Sequence, residues 1–189
     1  MALLVVLMLF LVTPWHSNAD GAWLDRDLVS WNAPGTAIPV APGESGGVNS
    51  YCEQSVRPPG TADDVQVADC GWLLPSPYQL AWGTLLVQGF LCFDPQCRPV
   101  DSQQFVFVDG VFAGTLAPQA MMPRTDGALF DVWIDPDEVG ALYDRYAPRD
   151  GPCCPSGQTR VSFMVKGTAG GPVVISTQSE ELPAPSPGS

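Results

Sequence analysis

A chain of 189 residues with a formal net charge of −12 repels phosphate backbones and anionic lipid surfaces, which sets nucleic-acid binding aside. Only 15% of its residues are charged, and it carries 19 glycines and 20 prolines. That composition favours short strands and many turns over long helices, within one domain.

Residues 2–12 form an almost unbroken apolar run, the length of a signal-peptide core and short for a bilayer span. Ser17-Asn18-Ala19 puts small residues where a signal peptidase reads, so residues 1–19 are expected to be a signal peptide cleaved after Ala19. An uncleaved anchor is the alternative, since no Lys or Arg precedes the run. No cysteine closes the run where a bacterial lipid anchor would attach. The expectation is an exported chain, periplasmic or extracellular, with no lipid anchor and no stable membrane span after cleavage.

Residues 20–50 carry Pro34, Gly35, Pro39, Pro42, Gly43, Gly46 and Gly47, which read as an extended arm. Trp23 and Trp31 either pin this arm to the domain or offer contacts to a sugar or peptide ligand. Residues 51–178 read as a mainly β domain, with a β-rich α+β arrangement as the variant. Strands are predicted over 64–73 (Val65 and Val67 alternate), 78–93, 103–107 and 111–116. Asp109-Gly110, between Phe107-Val108 and Val111-Phe112, is a tight hairpin signal. Further strands are predicted over 128–134, 139–146, 160–165 and 172–176, with 167–171 as a turn. For 139–146 a helix opened by Asp135-Pro136-Asp137-Glu138 competes with the strand. Trp72, Trp82 and Trp133 fall within these strands and are expected to be buried. Short connections favour an antiparallel meander sheet. Residues 179–189 are Pro- and Ser-rich and are expected to be a disordered tail.

Six cysteines in an exported chain read first as a disulfide framework, with 15 connectivities open. Neighbouring side chains on an extended segment point to opposite faces, so Cys153 and Cys154 are expected to reach different partners, a direct bond between them being the strained alternative. Cys70 and Cys92 fall in neighbouring predicted strands and are expected to pair. Cys52 and Cys97 are then left for Cys153 and Cys154, in either order. Three such bonds, at about 2–5 kcal/mol each, rival the net stability of a small domain, about 5–15 kcal/mol. Reduction is therefore expected to unfold the chain.

The only histidine, His16, lies in the leader, so no imidazole remains for a Ser-His-Asp or Cys-His arrangement after cleavage. The one lysine, Lys166, ends an apolar strand and reads as a solvated terminus. Carboxylate pairs among Asp63-Asp64, Asp135, Asp137 and Glu138 leave a glycosidase-like hydrolase as an alternative. The last three could also ligate Ca²⁺ through oxygen, although the 12-residue loop pattern is absent. Cys153-Cys154 with Met121-Met122 offers soft ligands to Cu(I) or Zn²⁺, against which stands the lack of any C-x-x-C pair. The same lack argues against a thiol–disulfide enzyme. No cofactor is expected.

The stretch 97–165 resembles the LppP/LprE lipoprotein family of bacterial envelope proteins. The resemblance rests on the hairpin around Val108-Asp109-Gly110-Val111-Phe112-Ala113-Gly114-Thr115, on Cys153-Cys154-Pro155-Ser156-Gly157, and on Val161-Ser162-Phe163 after it. The double cysteine before Pro-Ser-Gly is its specific part; Trp31-Asn32 and residues 52–59 extend it. The resemblance implies an exported envelope protein of mainly β architecture, with no activity attached, and favours a strand over 139–146. The chain departs from the family's name in lacking the lipid-anchor cysteine. The expectation is thus a non-catalytic exported envelope protein that binds or supports an envelope component or a small ligand. The alternatives are the carboxylate hydrolase and a periplasmic metal-handling protein.

Overall fold

Period-two alternation of apolar side chains carries most of the domain into eight antiparallel strands. The computed structural model describes residues 22–42, 50–75, 78–95 and 97–184; the expected signal peptide, 1–19, lies outside them. The first sheet holds β1 (Gln79–Ala81), β2 (Thr84–Phe93), β3 (Pro99–Val108) and β4 (Val111–Thr115). The second holds β5 (Ala128–Asp135), β6 (Glu138–Arg145), β7 (Gly157–Thr168) and β8 (Gly171–Pro183). In both, sheet order equals chain order, so the fold is mainly β and the meander is present twice. The single sheet expected from sequence is divided because the Pro118- and Pro123-bearing segment carries the chain from one layer to the other.

Asp109 and Gly110 have φ of 48° and 79°, and they join Val108 to Val111 as a primed turn. Trp82 and Gly83, at φ 53° and 78°, close the β1–β2 hairpin in the same hand. Trp82 therefore sits at a turn tip, 71% exposed, and not buried within a strand as expected. Segment 139–146 is strand: β6 pairs with β5 around a Pro136-Asp137 turn and with β7 on its other side. β8 reaches Pro183, so the stretch expected to be disordered from 179 onward extends the ladder against the long edge of β7. Residues 185–189 lie outside the described residues.

The predicted strand over 64–73 is instead a helix, α1 (Ala62–Asp69). Thr61 accepts from the Asp64 amide while the Asp64 carboxylate accepts from the Thr61 amide, a capping box. This signal outweighs an alternation of two valines: Val67 is buried and Val65 exposed, as one helix face requires. Burial pushes the Asp64 carboxyl up, but bonds from the Arg57 guanidinium (2.7 and 2.8 Å) and from the amides of Gly60 and Thr61 outweigh it and hold the carboxyl below its usual range. A depressed folded pKa stabilises above the unfolded value and is lost as pH falls through the folded one. Acidification below about pH 4 is expected to remove this contribution from the wild type. Asp64→Asn, followed by denaturant unfolding across pH, should be less stable near neutrality and lack that part of the acid slope.

The two sheets pack face to face over Leu86, Val106, Val139, Ala141, Tyr143, Val161, Phe163 and Val174. The outer face of the first sheet is covered as well: Val87, Phe105 and Phe107 pack under Val67, Trp72 and Leu74. Trp72 is buried, as expected, though it follows α1 and donates to the Pro39 carbonyl at 2.8 Å. The arm crosses one open side of the sandwich. There Asn32 stands in for a missing strand: its amide nitrogen donates to the carbonyls of Thr115 on β4 (2.9 Å) and Val174 on β8 (3.0 Å). Its oxygen accepts the Thr115 amide at 2.9 Å. A Cβ at Gly114, which has φ 136°, would fall on the Asn32 side chain.

Candidate functional site

The cysteines distribute differently from the expected pairing. Cys52, fully buried, is bonded to Cys97, and Cys153 is bonded to Cys154. Cys70 and Cys92 are free thiols. Cys70 lies at the C-cap of α1 against the outer face of the first sheet. Cys92 shares the strand parity of Leu86 and Phe90, which places it on the opposite face. The sheet itself separates the two. Burial, then the Asp101 charge, pushes the Cys92 thiol up, away from the thiolate that exchange requires. Cys153 and Cys154 sit in a turn, not on an extended segment, so parity did not govern them.

The Cys52–Cys97 bond ties the β2–β3 loop to the segment before α1. That loop is tightened by Asp94, which accepts from the Arg98 amide (2.9 Å) and Nε (2.6 Å). Two further loops meet it. In one, Asp126 accepts the Met122 amide at 3.0 Å, and Met121 bridges to Ser102 on β3. In the other, Asp150 accepts the amides of Ala147 (2.7 Å) and Ser156 (2.9 Å), contacts that hold its carboxyl below the usual range. Tyr146 donates to the Pro152 carbonyl at 3.3 Å. Arg124 joins the loops: it donates to the Asp150 carbonyl at 2.9 Å and stacks over the Tyr146 ring at 5.0 Å.

The three loops enclose a cavity of about 490 Å³. Its wall is apolar, from Pro99, Val100, Met122, Pro123 and Pro152, and its charged rim holds Arg124 and the Arg98–Asp94 ion pair. Burial, then the Asp144 charge, pushes the Tyr146 phenol up while the two arginines pull it back, so it is a neutral donor at the cavity wall. The Cys153–Cys154 bond directly follows Pro152, on exposed chain. The mouth can therefore hold an anionic head against an apolar surface. Sequence reasoning passed over Arg98, Arg124 and Tyr146. The available signal was scarcity: eight cationic side chains stand against twenty acids.

The residues singled out from sequence lie elsewhere. Trp23 and Trp31 do come together, edge to face at 5.2 Å, and line a hollow of about 180 Å³ with Leu28 and Pro118. They act as anchors of the arm: Trp23 packs on Tyr143, Trp31 packs on Phe163 and donates to the Thr115 carbonyl at 3.1 Å. Asp63 and Asp64 sit at the start of α1; burial, then the Asp64 charge, pushes the Asp63 carboxyl up. Asp135, Asp137 and Glu138 belong to the β5–β6 turn, and Glu138 accepts from the Ser162 hydroxyl. Met121 is buried and Met122 faces the mouth. Lys166 is exposed on β7 opposite Val173. Among the described residues no group of three or more His, Cys, Asp or Glu side chains is placed to hold a metal ion.

Residues 88–168 match the model of the LppP/LprE lipoprotein family. The LppP/LprE match begins within β2 and ends with β7, extending past both ends of the 97–165 resemblance. It contains every residue that lines the mouth, together with both members of the Cys153–Cys154 bond. It excludes Trp23, Trp31 and α1. A match to a lipoprotein family accords with an envelope location, and no helix among the described residues is long and apolar enough to cross a membrane. The chain finds no match among curated proteins or solved structures.

Proposed function

We propose that this chain is an exported, non-catalytic protein of the cell envelope that binds an amphiphilic anion in the three-loop mouth. The observation that carries the reading is Arg124 at the lip of an apolar cavity, beside the Arg98–Asp94 ion pair, in a chain of net charge −12. Guanidinium groups recognise carboxylate and phosphate by paired donors, and low-dielectric walls strengthen that recognition. The apolar wall takes the ligand's hydrocarbon part. A binding role is favoured over hydrolysis because the candidate carboxylates are engaged in a helix start and a hairpin turn.

Titration with octyl phosphate, followed by calorimetry, tests this, with inorganic phosphate as the head-group control. Octyl phosphate should bind more tightly than phosphate, and more weakly as salt is raised. Arg124→Ala should weaken binding about tenfold, the loss of one charge-assisted contact. No heat with octyl phosphate, or an unchanged affinity in Arg124→Ala, would refute the assignment.

A further inference from the structure

The two open sides of the sandwich are treated differently. Asn32 and Trp31 seal the β4–β8 side. The opposite side, between β2 and the edge strand β5, holds a cavity of about 210 Å³. Its depth is lined by Leu86, Leu129 and Val132, and its polar groups are Gln79, Gln88, Gln104 and Asp131. Strand parity explains the convergence: Gln79 pairs with Leu86, and Gln88 with Gln104, all on the face between the sheets.

Gln104 is only 6% exposed, yet its side-chain amide makes no hydrogen bond within the protein. The neighbouring carboxamides are engaged within the protein: Gln103 donates to the Ala117 carbonyl and accepts the Gln104 backbone amide, and Gln158 donates to Asp144. The Gln104 amide opens onto the cavity, and the carboxamides of Gln79 and Gln88 line the same space.

We infer that this open side binds a neutral sugar ring. The carboxamides offer donors and acceptors together, as an array of hydroxyls requires. No cation lines the cavity, so it does not select anions and is distinct from the mouth. Phe130, 62% exposed at the lip, presents an apolar ring face for stacking. The volume suits one ring, well below that of a drug-sized pocket. An extended peptide fits less well. The β5 ladder is interrupted by a bulge at Phe130, and the facing β1 has three residues, so neither edge offers a regular template.

The test is nuclear magnetic resonance of the ¹⁵N-labelled protein, reading the side-chain amides of Gln88 and Gln104. Probes are D-glucose, D-galactose and D-mannose as free sugars, and maltotriose for a glycan chain. At least one probe should shift these amides with millimolar affinity, tighter for maltotriose if the ligand is a chain and equal if it is a free sugar. Gln104→Leu should weaken binding about tenfold without lowering the melting temperature, because the amide has no protein partner to lose. Phe130→Ala should weaken binding while leaving the fold intact. Silence of both amides up to about 50 mM of every probe overturns the inference. So does a Gln104→Leu variant that melts lower and binds as before.

Discussion

Replacing Cys52 and Cys97 by serine should lower unfolding free energy by about 4 kcal/mol, whereas replacing Cys153 and Cys154 should change it by less than about 0.5 kcal/mol. The difference follows from loop closure. Cys52 and Cys97 are 45 positions apart, so their bond removes much of the freedom of the unfolded chain; Cys153 and Cys154 are adjacent and close no loop. The fully buried Cys52 adds packing to that entropy. Two bonds, one of them stabilising, replace the three expected from sequence. Reductant should therefore lower the melting temperature to that of the Cys52→Ser/Cys97→Ser variant and no further. A vicinal-pair variant that melted as low as the long-range variant would contradict this. Because the Cys52–Cys97 bond also holds the β2–β3 loop, its loss should weaken octyl phosphate binding at the mouth.

The second large effect is expected at Asn32. Asn32→Ala strands the Thr115 amide and the Val174 carbonyl at the side of the sandwich, a loss of about 3 kcal/mol in denaturant unfolding. Gly114→Ala should destabilise as well, since its new Cβ would displace Asn32. The double variant should be less destabilised than the sum, because once Asn32 is shortened the added methyl meets less obstruction. Additive effects, or a loss under about 1 kcal/mol for Asn32→Ala, would show that this side is closed by the packing of Trp31 alone.

Sequence reading succeeded where a local rule coincided with the tertiary demand. Asp109-Gly110 required positive φ and obtained it, and the alternation through 139–146 matched a strand flanked by β5 and β7. It failed where two local rules competed. Val65 and Val67 suggested a strand, but Thr61 and Asp64 formed a capping box and the helix prevailed. Trp82 was assigned to a strand because aromatics favour strands, yet Gly83 after it made the pair a turn. The cysteine pairing failed for a related reason. Cys70 was placed on a predicted strand and parity was applied to Cys153-Cys154, yet none of the three lies on a strand. The mouth was legible only in part. The double-cysteine motif marks its rim, but Arg98, Arg124 and Tyr146 converge through three separate loops whose meeting no spacing reveals. The Asn32 closure was likewise invisible, since it depends on two sheets whose separation the sequence does not announce.

Peptide mapping of the unreduced protein by mass spectrometry tests most directly the claim that sulfur bonds fix the loops of the mouth. The expected result is one crosslinked peptide pair carrying Cys52 and Cys97, one peptide carrying Cys153 and Cys154 two hydrogens lighter than its dithiol, and alkylatable thiols at Cys70 and Cys92. A crosslink from Cys153 or Cys154 to Cys52 or Cys97 would contradict the account.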